Sequence, residues 1–127
     1  MANPVHPKPS SRTFASIVMT TAADGTSEAV DVSGLVLCAV QMSTAWTAAR
    51  IGFQASIDGS TNYFNLHNSA GSFLTYAAGT NRIVALDPTV FFGVQRIKLV
   101  SETSAGVAVA QAAARTLVLG LAEAKLK

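Results

Sequence analysis

The chain has 127 residues, half of them hydrophobic, with only 13% charged and a formal net charge of +2. That length suits one domain with a real core, and the charged share is about half of the roughly 25% usual in soluble domains. Too few charges remain to cover a solitary monomer, so part of the surface is expected to be buried against other chains. The nine basic residues are scattered rather than clustered, which argues against nucleic acid as a partner. No apolar run approaches the roughly 20 residues of a membrane-spanning helix, so no membrane partner is expected. The N-terminus lacks the charged-then-apolar pattern of a secretion signal. The single Cys38 cannot form an internal disulfide and sits in an apolar run, as expected of a buried structural thiol.

Residues 2–11 (ANPVHPKPSS) carry three of the four prolines. Each ring fixes its own φ and pushes the preceding Asn3, His6 or Lys8 towards extended geometry, making a semi-rigid arm that rises about 3.1 Å per residue. Residues 1–11 therefore read as an extended N-terminal arm and residues 12–127 as a single domain. Two readings of the arm stand side by side. It is a disordered leader, or it orders on a neighbouring subunit. In the second case Pro4, Val5, Pro7 and Pro9 fill shallow apolar grooves, and Lys8 and Arg12 meet acidic groups.

Residues 12–21 are rich in β-branched side chains and predict a first strand. A turn at 23–26 (ADGT) and a short strand at 28–32 follow. Residues 35–42 (LVLCAVQM) are continuously apolar, which suits a central strand covered on both faces. The loop at 43–49 holds Trp46, either a ligand platform or, more commonly for such a residue, a cap on the open end of a core. In residues 50–67, Ile51, Phe53, Ala55 and Ile57 alternate with Gly52, Gln54 and Ser56, the period-two pattern of a half-buried strand. Asp58-Gly59 supplies hairpin turn chemistry, and a more aromatic arm returns through Tyr63, Phe64 and Leu66.

A turn at 68–71 leads to a modest strand at 72–77 with Phe73 and Tyr76, then to a second turn at 78–81. Residues 82–86 (RIVAL) end at the breaker Asp87-Pro88, and 90–92 (VFF) are expected to plug the core. Residues 95–101 (QRIKLVS) set Ile97 and Leu99 against Arg96, Lys98 and Val100. The Ala-rich stretch 107–114 would be comfortable in a helix. Residues 115–121 (RTLVLGL) alternate Leu117, Leu119 and Leu121 with Thr116, Val118 and Gly120, predicting a final strand before a frayed end at 122–127. About eight short strands at regular spacing predict an all-β antiparallel β-sandwich, jelly-roll-like. Ile51, Phe53, Ile57, Ile97, Leu99, Leu117 and Leu119 should share its core.

Candidate chemistry is sparse. Neither His6 nor His67 has a second His or Cys at metal-ligand spacing. Asp24 and Asp58 precede glycine and Asp87 precedes proline, positions explained by turn geometry. Glu28 with Asp31 is the one close carboxylate pair, and a solvated edge strand explains it. No nucleophile elbow, phosphate loop or dinucleotide fingerprint occurs, and 58–62 (DGSTN) lacks the spaced carboxylates of a calcium loop. No catalytic residue, metal or cofactor is therefore expected, and the chain does not read as an enzyme. Trp46, Tyr63 and Tyr76 remain as stacking surfaces in an alternative, carbohydrate-binding reading.

The segments AWTAA (45–49), IGFQAS (51–56), DGSTNYFNL (58–66), RIVALDP (82–88) and VQRIKLVS (94–101) come in an order that resembles small β-sandwich structural proteins of tailed-bacteriophage virions. An F-Q-x-S-x-D-G strand, a tyrosine-bearing hairpin return and a basic I-K-L strand carry the resemblance, which spans roughly residues 16–121. It implies a head decoration or minor capsid protein that cements the major capsid shell. The implied partners are the major capsid protein and further copies of the chain, as a trimer or dimer. The implied location is the capsid surface of a virion assembled in the host bacterial cytoplasm. A neck, tail or fibre-base position is the alternative within the same class.

Overall fold

The computed structural model describes residues 12–20 and 24–123. The predicted arm, with Pro4, Val5, Pro7, Lys8 and Pro9, lies outside the described residues. The strands are β1 (Arg12–Met19), β2 (Val30–Asp31), β3 (Leu35–Gln41), β4 (Arg50–Ser56), β5 (Phe64–Asn65), β6 (Ile83–Ala85), β7 (Arg96–Glu102) and β8 (Arg115–Glu123). They form two four-stranded antiparallel sheets, ordered β1-β8-β3-β6 and β2-β7-β4-β5. The first strand pairs with the last, the second with the second-last, the third with the third-last, and the fourth with the fifth. A long hairpin rolled over on itself gives this order, and it is the jelly-roll arrangement. The all-β sandwich expected from strand count and turn spacing is the fold observed.

Alternation sets the core. Ile17 and Met19 of β1, Leu117, Leu119 and Leu121 of β8, and Leu37 and Val40 of β3 face inward from one sheet. Ile51 and Phe53 of β4 and Ile97 and Leu99 of β7 meet them from the other. Phe53 is the centre of an aromatic group, edge-on to Phe91 at 4.9 Å and to Tyr76 at 6.0 Å between ring centroids. Such edge-to-face pairs add about 0.5–1.5 kcal/mol beyond area burial.

Several local expectations are corrected. Ile57 is 76% exposed instead of sharing the core. The chain leaves β4 at Ser56, whose hydroxyl donates to Asp58 Oδ1, and the same oxygen accepts from the Ser60 amide. That polar turn carries Ile57 outward before the alternation can place it inside. Gly59 does take the positive φ (+77°) expected of the turn, but the connection runs from 57 to 63 rather than closing tightly at Asp58-Gly59.

The apolar run of β3 also has a different cause from double coverage. The register slips between Leu37 and Ala39, so Cys38 is the extra residue of a β-bulge. The bulge resets the inward parity from Leu37 to Val40. It leaves Cys38 half-buried, with its thiol 3.4 Å from the Val36 carbonyl, rather than fully enclosed.

The strand expected at 72–77 is reduced to single bridges, His67 with Phe73 and Ile51 with Tyr76. Residues 107–114 form no helix. In the VFF plug Phe91 is buried and Phe92 is exposed, because Pro88–Phe91 closes a 3-10 turn that aims the two rings apart. Asp87 caps that turn, its Oδ1 accepting from the Thr89 amide at 3.0 Å and the Thr89 hydroxyl at 2.7 Å.

Truncating Phe53→Ala should cost about 3–5 kcal/mol of unfolding free energy, since the ring is enclosed on all sides. Ile57→Ser should change stability by no more than about 0.5 kcal/mol. Urea unfolding of both variants measures the contrast.

Candidate functional site

The polar side chains that sequence reasoning set aside as structural are engaged in holding loops. Glu28 Oε2 accepts from the Val18 amide at 3.0 Å, and Asp31 Oδ1 accepts from both the amide and the hydroxyl of Ser33. Those Ser33 contacts hold Asp31 below the usual carboxylate range, and Thr89 and Ser60 do the same for Asp87 and Asp58. Glu28 and Asp31 thus have separate structural partners. Among the described residues no three His, Cys, Asp or Glu side chains gather as a metal site. No helix among them is long and apolar enough to cross a membrane.

Two buried polar residues were not singled out by the sequence. Gln111 lies in the irregular stretch before β8, and its amide uses its full hydrogen-bonding capacity. Nε2 donates to the Thr47 carbonyl (3.1 Å) and Ser101 Oγ (2.8 Å), while Oε1 accepts from the Thr47 amide (2.8 Å) and Arg115 Nε (3.1 Å). This clamp ties the β3–β4 loop to the β7–β8 connection, which is why the Ala-rich stretch is not free to coil into a helix. Glu102, at the end of β7, is only 4% exposed and lies over Gly52, where any added Cβ would strike its carboxylate. Arg50 faces it in the strand register but turns its guanidinium to Thr75. Burial pushes the Glu102 carboxyl up, and His67 partly offsets this.

The three aromatic residues of the carbohydrate reading are not assembled into one open platform. Trp46 is half-buried against the core and its Nε1 donates to the Ala49 carbonyl at 3.1 Å, the capping role. Tyr76 packs on the core beside Phe53, and its hydroxyl accepts from the Asp87 amide. Tyr63 lies in the β4–β5 connection with Lys98 Nζ 4.4 Å from its ring centroid, a cation–π contact.

What the molecule exposes instead is apolar sheet surface. On the outer face of the first sheet, cross-strand registers line up Phe14, Gly120, Ala39 and Ala85 in one row and Ser16, Val118, Gln41 and Ile83 in the next. Phe14 is 72% and Ile83 67% exposed, and Gly120 and Ala39 make a low floor between them. No charged side chain belongs to either row. A second exposed apolar pair, Ile57 and Phe64, flanks the β4–β5 connection. Arg12, the one described residue of those expected to contact a partner alongside the arm, begins β1 at the exposed edge of the first sheet. Sequence reasoning missed this face, although a signal was present: RTFASIVM is apolar at both parities, so one of its two apolar sets had to point outward.

Acidification tests the Glu102 environment. Its folded pKa lies above the unfolded value of 4.5, so the folded state retains its proton longer. The contribution of Glu102 to stability is then full below about pH 4.5 and declines as pH rises towards the folded pKa, opposite in sign to those of Asp31, Asp58 and Asp87. Glu102→Gln should abolish that decline, unfolding at higher urea than the parent near pH 7 and at about the same urea near pH 4.

No family model and no curated protein sequence matches the chain. Among solved structures it is similar to the SPBc2 prophage-derived protein YomS, with a TM-score of 0.51 and 16% identity over 94% of this chain and 98% of that one. It is also similar, more loosely, to CBM32-1 from a family 31 glycoside hydrolase of Clostridium perfringens, with a TM-score of 0.43 and 18% identity over 84% and 76% of the two chains. At these identities the likeness to YomS is one of fold.

Proposed function

We propose that the chain is a structural protein of a tailed-bacteriophage particle, and specifically one that decorates and cements the major capsid shell. The observation that carries this reading is the end-to-end likeness of fold to a prophage-derived protein, which covers nearly the whole of both chains. Three physical features support it. The charge-poor composition and the two uncharged rows on the outer face of the first sheet suit burial between subunits. Buried or hydrogen-bonded carboxylates suit scaffolding more than proton transfer, in keeping with a protein that is not an enzyme. The half-buried Trp46 and Tyr76 give little surface on which a sugar could stack, which weighs against the carbohydrate-binding alternative.

The mechanism is mass action. A module that binds the assembled shell, and not its free subunits, stabilises the shell by its own binding free energy. Repetition over many equivalent sites makes a modest contact effective, more so if the module self-associates. The partners in this reading are the major capsid protein and other copies of the chain, on the outside of the virion, with neither nucleic acid nor membrane involved. The proline-rich arm acts as a lash whose pre-restricted backbone loses little entropy on docking.

Mixing the purified chain with capsids lacking it should give co-sedimentation and a higher shell melting temperature. Deleting residues 1–10 should lower occupancy and return much of that heat resistance. A chain that stays in the supernatant would refute the reading, and unchanged binding by the truncated chain would reduce the arm to a passive leader.

A further inference from the structure

Three of the four sheet edges are short. β2 and β5 have two residues each and β6 has three, the length at which an edge offers little to a partner strand. β1 is different, an eight-residue strand that among the described residues pairs with β8 along one side and is an edge on the other. Its far end is already closed. Glu28 Oε2 takes the Val18 amide, the Glu28 amide donates to the Val18 carbonyl at 3.2 Å, and Ser27 bridges Met19. Because the Val18 amide points to the free edge, alternation points the amides and carbonyls of Arg12, Phe14 and Ser16 the same way. Among the described residues these groups form an open ladder, bounded on one side by the Ser27–Glu28 segment.

We propose that β1 pairs antiparallel with β1 of a second copy across a two-fold axis at Phe14, joining the two first sheets into one continuous sheet. Pairing cannot extend past Ser16 without meeting Glu28. Within the described strand the outward-facing groups left are those of Arg12, Phe14 and Ser16, and the register centred on Phe14 is the one that uses all three. A two-fold then sets Phe14 against Phe14 and Arg12 against Ser16, giving about six backbone hydrogen bonds by the antiparallel pattern. Charge supports the same register. Arg12 comes to lie diagonal to the second copy's Val18 and the Glu28 carboxylate bound there, within reach of a long side chain. The highly exposed Phe14 rings become cross-strand neighbours, shielding each other and the seam. The axis also continues the apolar outer face from one copy to the other. This specifies the self-association invoked above, but it concerns the free protein, so capsid binding and dimer formation can fail separately.

Sedimentation of the full chain across a range of concentrations should show a monomer–dimer equilibrium. Ser16→Pro should weaken it at least about tenfold while leaving the thermal melt of the monomer nearly unchanged, because the lost amide faces outward and proline is tolerated on an edge. In a Cys38→Ser background, Phe14→Cys should oxidise to a covalent dimer, since facing residues of a hydrogen-bonded pair sit about 5.5 Å apart between Cα atoms, within disulfide range. Ile83→Cys, on the opposite edge, should not. A monomer at every concentration, a Ser16→Pro variant that associates like the parent, or cross-linking at 83 rather than 14 would overturn the proposal. So would a monomer whose Phe14 and Ser16 amides resist hydrogen exchange, since residues 1–11 of the same chain would then occupy the edge.

Discussion

β8 pairs from Arg115 to Ala122 with β1 on one side and for most of its length with β3 on the other, and its three inward leucines fill the middle of the core. Until residues 115–123 are in place, the first sheet has no centre and β1 has no strand to hold Ile17 and Met19 against the second sheet. The rolled hairpin makes nearly every strand pair long-range in sequence. Stability is therefore collective: loop closure must be offset by pairings that form together rather than one hairpin at a time. The same topology explains why the connections are held by side chains. A rolled sandwich has long crossings between its sheets, and each crossing leaves backbone groups that need partners.

Gln111 and Ser27 meet that need at opposite crossings. Gln111 joins Thr47, Ser101 and Arg115, bringing the β3–β4 loop, the end of β7 and the start of β8 to one point. Ser27 links the first sheet to the second, bridging Met19 on one side while its hydroxyl accepts from the Leu99 amide at 2.9 Å on the other. Fully satisfied buried polar groups of this kind specify one arrangement of the loops rather than adding much net free energy. Glu102 differs in kind: burial penalises its charged form and pushes its carboxyl up, so it adds a pH dependence of the opposite sign to that of Asp31, Asp58 and Asp87.

Surface chemistry divides between the two sheets. The second sheet covers part of its outer face with its own loops, and Gly52, Val100 and Glu102 are buried there although they point away from the core. The first sheet leaves most of its outer face open, with Phe14, Val18 and Ile83 exposed over a floor of small residues. A largely apolar face on one side of a thin sandwich, with charge only at its Arg12 corner, is what a subunit needs if it is to be covered by its neighbours.

Most of the strands, their order along the chain and most of the core were determined by the sequence itself, because period-two alternation and Gly, Asp and Pro punctuation are local properties; the strand expected at 72–77 was not among them. Ile51, Phe53, Ile97, Leu99, Leu117 and Leu119 could be assigned to the interior on parity alone, and all are buried. Which face of β1 turns inward was not decidable locally, since both its parities are apolar, and only pairing with β8 resolves it. Ile57 obeys the alternation of β4 yet points outward, because the Ser56–Asp58 turn ends the strand one residue earlier. The apolar run of β3 became legible only through a bulge, which exists because two strands of unequal count must pair. Gln111 carried no signal at all: its role depends on Thr47, 64 residues away in the chain, and only the rolled topology brings the two within hydrogen-bond reach.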